Sequence, residues 1–319
     1  MMRVAILDDY QGVALRLADW QSLHPHAQMQ AFADHLDDRE ALARRLHAFE
    51  CVVLMRERTP FPRALFEKLP NLRLLITAGM RNASIDLAAA TERRVQVCGT
   101  EMLGYPTAEL TWGLILALLR QIPRDEQALR EGRWQTTLGI GVRGKTLGVL
   151  GLGRLGTQVA AIGKAFGMNP IAWSQNLTAE RAAAAGARFV SKEELFAAAD
   201  LVTIHVVLSD RTRGLVGAAD LARMKKTAYL VNTSRGPVVD EGALIALLRE
   251  HRIAGAALDV FEPEPLPPRH PLTTLDNLLL TPHLGYVTEE NYRLLYAHAV
   301  EDIRAFLDGK VVRALNQLG

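Results

Sequence analysis

The sequence predicts an α/β fold in which mostly parallel sheets are covered by helices on both faces. Short apolar runs typical of buried strands recur along the chain, and stretches with helical spacing of apolar residues separate them. A chain of 319 residues is long enough for about two domains, each with its own hydrophobic core. We therefore expect two α/β units.

The first α/β unit extends to about residue 98. Its helix-like stretch 38–48 carries Leu42 and Leu46 at helical spacing, followed by Phe49. The segment after its first strand, Leu7–Gly12, contains no phosphate-binding glycine turn. Five runs are predicted to be strands: Arg3–Leu7, Gln28–Phe32, Cys51–Leu54, Leu72–Ile76 and Val95–Val97.

An apolar helix is predicted to follow the first unit. Thr107–Arg120 is apolar on nearly every side, so we expect it to be buried between domains or against a partner subunit. Pro123 is expected to end it.

The second α/β unit begins at Lys145 and contains the most diagnostic turn of the chain. Strand-like residues Thr146–Leu150 lead into Gly151-Leu-Gly153-Arg-Leu-Gly156, a G-x-G-x-x-G that opens a helix-like stretch. In a dinucleotide-binding turn the first glycine makes the bend, the second admits the pyrophosphate and the third lets helix pack on strand. The helix N-terminus then offers free N–H groups to the phosphates.

Further strands and helices follow this turn. Ser191 opens a capping box, Asp240 caps the next helix, and Thr288–Leu307 has the spacing of a long helix. The proline-rich stretch Glu262–Pro271 is predicted to be a surface loop. The predicted strands are Pro170–Trp173, Leu201–Ile204, Ala228–Val231, Gly255–Leu258 and Leu278–Leu280.

Composition and charge indicate which kinds of binding partner are not expected. The net charge is +2, with 37 basic and 35 acidic residues and no basic run, so neither nucleic acid nor a membrane is an expected partner. Cys51 and Cys98 lie in separate apolar runs, outside any metal-ligand spacing, which predicts free thiols, no metal site and a cytoplasmic location. The apolar run Leu110–Leu119 is about half of a membrane span.

The strand after the glycine turn leaves the choice of nucleotide open. About 20 positions past the first glycine, an acidic residue is expected to bind the ribose hydroxyls of NAD. Ser174 occupies that place, and no acid follows before Glu180. The 2′-phosphate of NADP is not repelled there, yet no arginine follows immediately to attract it.

Three later strands end in polar turns that are predicted to converge. The turns are Asn232–Gly236, Leu258–Pro265 and Thr281–Gly285. Ligands of an open α/β sheet bind beyond the carboxyl ends of the strands, so these turns are expected to line one crevice.

Together these motifs resemble the D-isomer-specific 2-hydroxyacid dehydrogenase family. The resemblance is carried by the glycine turn, by Asn232-Thr-Ser-Arg235-Gly, by Leu258-Asp259-Val-Phe with Glu264-Pro-Leu, and by Thr281-Pro-His283-Leu-Gly. It implies two Rossmann-like or flavodoxin-like domains, with the nucleotide domain (100–285) inserted into a discontinuous substrate domain (1–99 and 286–319). It also moves the long C-terminal helix to the first unit, and it assigns the helix at Thr107 to a homodimer interface.

The resemblance further implies hydride transfer between NAD, with NADP not excluded, and a small 2-oxo or 2-hydroxy acid. Arg235 would bind the carboxylate and polarise the carbonyl, His283 would be the general acid or base, and Glu264 would orient it. Glu262 is the alternative acid for this role, but in the family pattern the acid stands directly before Pro-Leu, which is the position of Glu264. The implied cofactor contacts are Gly151, Gly153, Arg154, Leu155, Gly156, Ser174, Thr233 and Asp259, the last at the nicotinamide carboxamide.

The substrate side departs from the family pattern. The anion-binding turn reads Gly79-Met80-Arg81-Asn82, with Arg81 in place of a glycine, and the backbone of Met80 and Arg81 is predicted to bind a carboxylate. Arg56 could meet a distal anionic group of the substrate, or pair with Glu57 or Glu101. A solvent-pointing Arg81 is an equal alternative, and these changes count against phosphoglycerate as substrate.

Two other functions are compatible with the same motifs. One is an NADH-sensing binding protein of the corepressor type, which shares the fold and the catalytic residues. The other keeps the chemistry but changes the donor, as in formate or phosphite dehydrogenases. The absence of a basic patch favours an enzyme that reduces a 2-oxo acid.

Overall fold

The computed structural model describes residues 1–318, which form two compact units, each built on a parallel sheet. Unit 1 comprises Met1–Leu103 and the C-terminal segment that begins at Thr288, and unit 2 comprises Gly104–Val287. The predicted α/β fold class with two parallel sheets is confirmed. The assignment of the units as substrate and nucleotide domains stays a prediction.

The strands and helices are numbered in chain order. The strands are β1 (Met2–Ile6), β2 (Ala27–Ala31), β3 (Cys51–Leu54), β4 (Leu74–Thr77), β5 (Gln96–Gly99), β6 (Thr146–Leu150), β7 (Asn169–Trp173), β8 (Arg188–Phe189), β9 (Leu201–Ile204), β10 (Tyr229–Asn232), β11 (Gly255–Leu258) and β12 (Leu278–Leu280). The helices are α1 (Arg39–Leu46), α2 (Arg63–Phe66), α3 (Leu87–Glu92), α4 (Pro106–Leu119), α5 (Ile122–Arg130), α6 (Arg154–Ala165), α7 (Ala179–Ala184), α8 (Lys192–Ala198), α9 (Ala218–Leu221), α10 (Glu241–Arg249) and α11 (Glu289–Leu307).

Unit 1 is a flavodoxin-like sheet with the strand order β2-β1-β3-β4-β5. Its inner strands β3 (CVVL) and β4 (LLIT) are short, fully buried and almost entirely apolar, as expected of a parallel sheet that is covered on both faces. Asp38 caps α1 by accepting hydrogen bonds from the N–H groups of Glu40 and Ala41. Cys51 and Cys98 are both buried and free, and burial raises the pKa of the Cys98 thiol to about 12.

Unit 2 is a seven-stranded sheet in the order β12-β11-β10-β9-β6-β7-β8. Successive residues point to opposite faces, so Val149 and Val231 pack in one apolar core while Leu150 and Leu230 pack in the other. The chain direction across the sheet reverses between β6 and β9, which is the topological switch point where ligands of such sheets bind.

The apolar helix α4 is buried within unit 2 along most of its length. Trp112 packs in the same core as Val159 and donates its indole N–H to the Val159 carbonyl at 3.1 Å. Pro123 was expected to end this helix, but α4 ends at Leu119 and Pro123 lies in the first turn of α5. A proline is tolerated there because the first N–H groups of a helix have no intrahelical partner.

Apolar side chains remain exposed after α4. Ile122 and Leu129 of α5 are about half exposed, while Trp134 and Leu138 of the following segment are 76% and 94% exposed. The homodimer implied by the resemblance stays a prediction. In residues 1–318, no helix combines the length and the apolar character needed to cross a membrane.

A buried ion pair anchors the C-terminal segment to α11 in unit 1. Arg313 donates from Nε to Oδ1 of the buried Asp302 at 3.1 Å, and its Nη1 lies 2.9 Å from the exposed Glu301. The other oxygen of Asp302 is buried and accepts no hydrogen bond from any residue in 1–318. Burial therefore raises the pKa of Asp302 to about 7, although Arg313 opposes the shift.

This raised pKa predicts a pH-dependent stability. The folded chain binds the Asp302 proton more tightly than the unfolded chain, so the stabilisation is complete below the unfolded pKa of about 4 and is lost as pH rises through 7. Between pH 5 and 8, we expect the free energy of unfolding of the wild type to fall by about 2.5 kcal/mol relative to that of Asp302→Asn. Thermal unfolding at each pH measures this difference. The matched control is Glu301→Gln, which alters the exposed partner of the same arginine and should show no such divergence. Parallel pH curves for the wild type and Asp302→Asn would contradict the expectation.

Candidate functional site

In the glycine turn after β6, two glycines pack closely against the backbone of other residues. Gly151 has φ +102, and a Cβ there would lie 2.6 Å from the carbonyl oxygen of His205, which follows β9. A Cβ on Gly156 would lie 2.1 Å from the carbonyl oxygen of Gly151. Neither position has room for a side chain, so the first turn of α6 packs directly against the end of β6.

The middle glycine faces open space. Apart from its two chain neighbours, no residue in 1–318 has an atom within 4 Å of the position that a Cβ would take on Gly153, which precedes α6 in extended conformation. The 12 residues of α6 begin without a capping side chain, which leaves the N–H groups of Arg154, Leu155 and Gly156 available to an anion. These features fit the pyrophosphate of a dinucleotide, as the sequence predicted.

The end of β7 carries no carboxylate. Ser174 is partly exposed at this end, and Gln175 and Asn176 after it are exposed. Arg181 of α7 donates from Nη1 to the carbonyl oxygen of Asn176 at 3.3 Å. The loop that is predicted to meet the ribose therefore contains a serine and has a cation at its edge.

Thr233, which follows β10, faces α4. Its hydroxyl lies 2.8 Å from the hydroxyl of Thr111, which in turn donates to the Thr107 carbonyl. Thr233 is almost fully buried at the carboxyl end of the sheet. Its predicted contact with the cofactor stays a prediction.

The buried carboxylate of Asp259 holds together the turn that follows β12. It accepts hydrogen bonds from the Thr281 hydroxyl at 2.6 Å, from Leu284 N–H at 2.7 Å and from Gly285 N–H at 2.8 Å. Burial raises the pKa of Asp259, while these donors favour its ionised form. The sequence predicted a nicotinamide contact for Asp259, which stays a prediction; its observed contacts fix the segment around His283.

His283 and Glu264 form a hydrogen-bonded pair, as the family resemblance implies. Nδ1 of His283 lies 2.6 Å from Oε2 of Glu264, and both side chains are less than a third exposed. The second carboxylate oxygen of Glu264 accepts the Phe261 N–H at 2.8 Å. Because the carboxylate only accepts, Nδ1 carries the hydrogen and Nε2 is left for another partner.

Arg235 lies on the turn after β10, which packs against the loop that carries Glu264. A Cβ on Gly236 would lie 2.5 Å from the carbonyl carbon of Phe261, so the Arg235–Gly236 backbone packs against the residue that donates to Glu264. Nη1 of Arg235 donates to the Ser234 carbonyl at 2.8 Å, and Asn232 Nδ2 donates to the Arg235 carbonyl at 3.0 Å. The predicted residues Arg235, Glu264 and His283 therefore lie on contiguous turns of unit 2.

The competing acid Glu262 has a different partner. Its carboxylate pairs with the exposed Arg213 at 2.9 Å, and both side chains are more than half exposed. Glu264, two residues later, is the acid that contacts His283.

Unit 1 places the predicted substrate residues on two adjacent loops. Arg56 follows β3, while Met80 and Arg81 follow β4 with exposed side chains. Arg56 Nε lies 3.4 Å from the Glu57 carboxylate, and Asn82 Nδ2 donates to the Arg56 carbonyl at 2.7 Å. The alternative in which Arg56 pairs with Glu57 is therefore observed.

A polar network that was not predicted from the sequence lies at the end of β1. Asp8, buried with φ +57, contacts His35 Nδ1 at 2.8 Å and accepts the Thr59 hydroxyl at 2.7 Å. The hydrogen bond to Asp8 raises the pKa of His35. The signal available in the sequence was the Asp-Asp pair that ends the first apolar run, in the place of a glycine turn.

Comparison with known proteins gives a family match over the second unit. Residues 112–285 match the model of the NAD binding domain of D-isomer specific 2-hydroxyacid dehydrogenases. A glyoxylate reductase from Aeropyrum pernix is 44% identical over 257 residues, which cover 77% of each chain. A D-3-phosphoglycerate dehydrogenase from Methanocaldococcus jannaschii is 42% identical over 82% of this chain, but the chain spans only half of the length of that relative.

A solved structure agrees over nearly the whole chain. The crystal structure of a phosphoglycerate oxidoreductase from Vibrio cholerae O395 superimposes with a TM-score of 0.93 at 37% identity, covering 97% of this chain and all of the other. The two proteins therefore share one fold over nearly the whole of this chain.

The glycine turn gives a prediction with a matched control. Gly156→Ala inserts a methyl group against the Gly151 carbonyl, so we expect a lower melting temperature of the free protein and loss of NADH binding. Gly153→Ala meets open space, so it should leave the melting temperature unchanged and weaken NADH binding about 10-fold or more by crowding the pyrophosphate. Thermal unfolding and quenching of protein fluorescence by NADH measure the two effects. Equal NADH affinity in Gly153→Ala and the wild type would argue against a pyrophosphate at this turn.

Proposed function

The chain belongs to the D-isomer specific 2-hydroxyacid dehydrogenase family, and we propose that it reduces a small 2-oxo acid to the D-2-hydroxy acid at a site of Arg235, Glu264 and His283. The family makes it an NAD(H)-dependent oxidoreductase that acts on CH–OH groups. The observation that carries the proposal is the Glu264–His283 pair, which lies in the region that matches the family's NAD binding domain.

His283 is the proton donor in this proposal. Glu264 accepts the Nδ1 hydrogen, so the proton delivered to the substrate oxygen leaves from Nε2. When bound, NADH supplies the hydride to the carbonyl carbon. Regeneration of the acid requires one proton from solvent, and the side chain of His283 is 19% exposed, which allows that exchange.

Arg235 binds and polarises the 2-oxo acid in this proposal. A guanidinium is permanently charged and presents paired donors that match a carboxylate. Its backbone is fixed by Asn232 and by packing on Phe261, so the side chain starts from a rigid turn. A fixed cation beside the carbonyl stabilises the charge that develops on the oxygen during reduction.

The residue that the sequence predicts for the distal end of the substrate favours a substrate without a strongly charged tail. The only cation predicted to meet a distal anion, Arg56, lies beside Glu57, which offsets much of its charge. Glyoxylate is the substrate named for the Aeropyrum relative, and this chain covers 77% of that protein. We therefore propose glyoxylate or hydroxypyruvate rather than phosphohydroxypyruvate. The sensor and the formate or phosphite alternatives have no observation of their own in their favour.

The proposed roles predict a contrast between two glutamates of one loop. His283→Ala should lower kcat about 10² to 10⁴-fold, because it removes the proton donor. Glu264→Gln should lower kcat about 10-fold or more, because it removes the carboxylate that orients the imidazole. Glu262→Gln, which alters only the exposed pair with Arg213, should leave kcat unchanged. The assay follows NADH oxidation with glyoxylate, hydroxypyruvate, pyruvate and phosphohydroxypyruvate, and NADH affinity is measured for each variant.

Two outcomes would count against this proposal. Absence of turnover with all four acids would refute the activity, and full turnover in His283→Ala would refute the assigned site. A decrease in NADH affinity parallel to that in kcat would indicate a structural effect, so the affinities are expected to stay within about twofold of the wild type.

The serine at the end of β7 predicts weak discrimination between the two nicotinamide cofactors. Ser174→Asp introduces a carboxylate that repels the 2′-phosphate and can bind the ribose hydroxyls. We expect the ratio of NADPH to NADH dissociation constants to rise about 10-fold or more, measured by fluorescence titration. Ser174→Asn is the uncharged control of the same size. An equal ratio in Ser174→Asp and Ser174→Asn would show that this side chain does not face the ribose.

A further inference from the structure

We propose that Tyr286 is a positioning residue for His283, holding the imidazole plane so that Nε2 faces the carbonyl oxygen of the substrate. The proposal rests on the proposed function, because it assigns Tyr286 a role through the proton donor named there. Tyr286 and His283 are three residues apart in one turn of unit 2.

The two rings are in direct edge-to-face contact. Their centroids lie 5.5 Å apart, and the planes are inclined at 81°. These values are typical of the preferred T-shaped arrangement, which stabilises an aromatic pair beyond the area it buries. Tyr286 is only 7% exposed, so its ring is itself held by the surrounding protein.

The imidazole needs this second contact because Glu264 fixes only one of its atoms. A single hydrogen bond at Nδ1 sets the distance to the carboxylate, but it leaves the ring free to tilt about that bond. Tilting swings Nε2, the atom on the far side of the ring, out of line with the substrate oxygen. A ring packed perpendicular to the imidazole opposes the tilt.

The turn that carries both rings is rigid enough to transmit this constraint. His283 has φ +54, a left-handed conformation that a residue with a side chain adopts only when its surroundings impose it. Asp259 holds Leu284 and Gly285 by their N–H groups, and Thr107 donates to the Gly285 carbonyl at 2.8 Å. The backbone between His283 and Tyr286 is therefore fixed at every intervening residue.

The test separates kcat from binding. Tyr286→Ala should lower kcat for glyoxylate reduction about 3- to 10-fold, with KM and the NADH dissociation constant within about twofold of the wild type. Tyr286→Phe retains the ring and should restore kcat to within about twofold. The matched control is Tyr229→Ala, which removes a partly buried tyrosine at the start of β10 in the same unit and should leave kcat unchanged.

A double-variant cycle tests whether Tyr286 acts through the imidazole. If Glu264 and Tyr286 orient the same ring, the combined loss in kcat of Glu264→Gln with Tyr286→Ala is smaller than the product of the two single losses. Independent, multiplicative losses would overturn the proposal. An increase in KM at unchanged kcat would also overturn it, because the ring would then be a substrate contact.

His283→Ala, assayed in parallel, separates this proposal from the function on which it rests. An inactive His283→Ala with a fully active Tyr286→Ala refutes the positioning role and leaves the proposed function standing. An active His283→Ala refutes both. Near-ultraviolet circular dichroism and NADH binding of Tyr286→Ala establish that unit 2 is folded, so a misfolded variant is recognised and Tyr286→Leu replaces it.

Discussion

The organisation of the candidate site depends on one buried carboxylate. Asp259 directly follows β11, and its two oxygens accept hydrogen bonds from three donors in the turn after β12. A buried carboxylate is costly unless donors compensate for its lost hydration, so the turn and the charge stabilise each other. The same carboxylate fixes the backbone on either side of Leu284, and that backbone sets the direction in which His283 leaves the turn.

The loop after β11 and the turn after β10 are held in place by further contacts near Asp259. The loop that continues from β11 carries Phe261 and Glu264, which are joined by a hydrogen bond, and Glu264 reaches His283 from that side. Gly236 lets the turn after β10 pack on Phe261, which brings Arg235 to the same end of the sheet. His283 and Glu264 are thus held by hydrogen bonds between carboxylates and backbone N–H groups, and Arg235 is held by backbone packing of Gly236 on Phe261. Parallel strands make this possible because all of their carboxyl ends lie at one edge.

The sequence was sufficient to predict the parts of this arrangement that depend on local pattern. The apolar runs marked most of the strands, the caps Ser191 and Asp240 marked two helix starts, and the spacing of three glycines marked the turn after β6. The pairing of Glu264 with His283 followed from a family pattern, because nothing in the spacing of Glu262 and Glu264 distinguishes one acid from the other. Pro123 was misread because a proline that stops one helix and a proline that starts the next give the same local signal.

Contacts between side chains that are distant in the sequence could not be predicted from local pattern. Asp8 and Thr59 are 51 residues apart, and only the parallel pairing of β1 with β3 brings the loops after these strands together. The anchoring of the His283 turn by Asp259 likewise requires the register in which Leu258 lies opposite Leu280. A strand-terminal aspartate in the sequence is compatible with a cap, a ligand contact or a buried anchor, and the register supplies the donors that make it an anchor. The chemistry of this site therefore depends on two properties of the sequence. The local sequence supplies the residue types, and the register of the parallel strands brings those residues together.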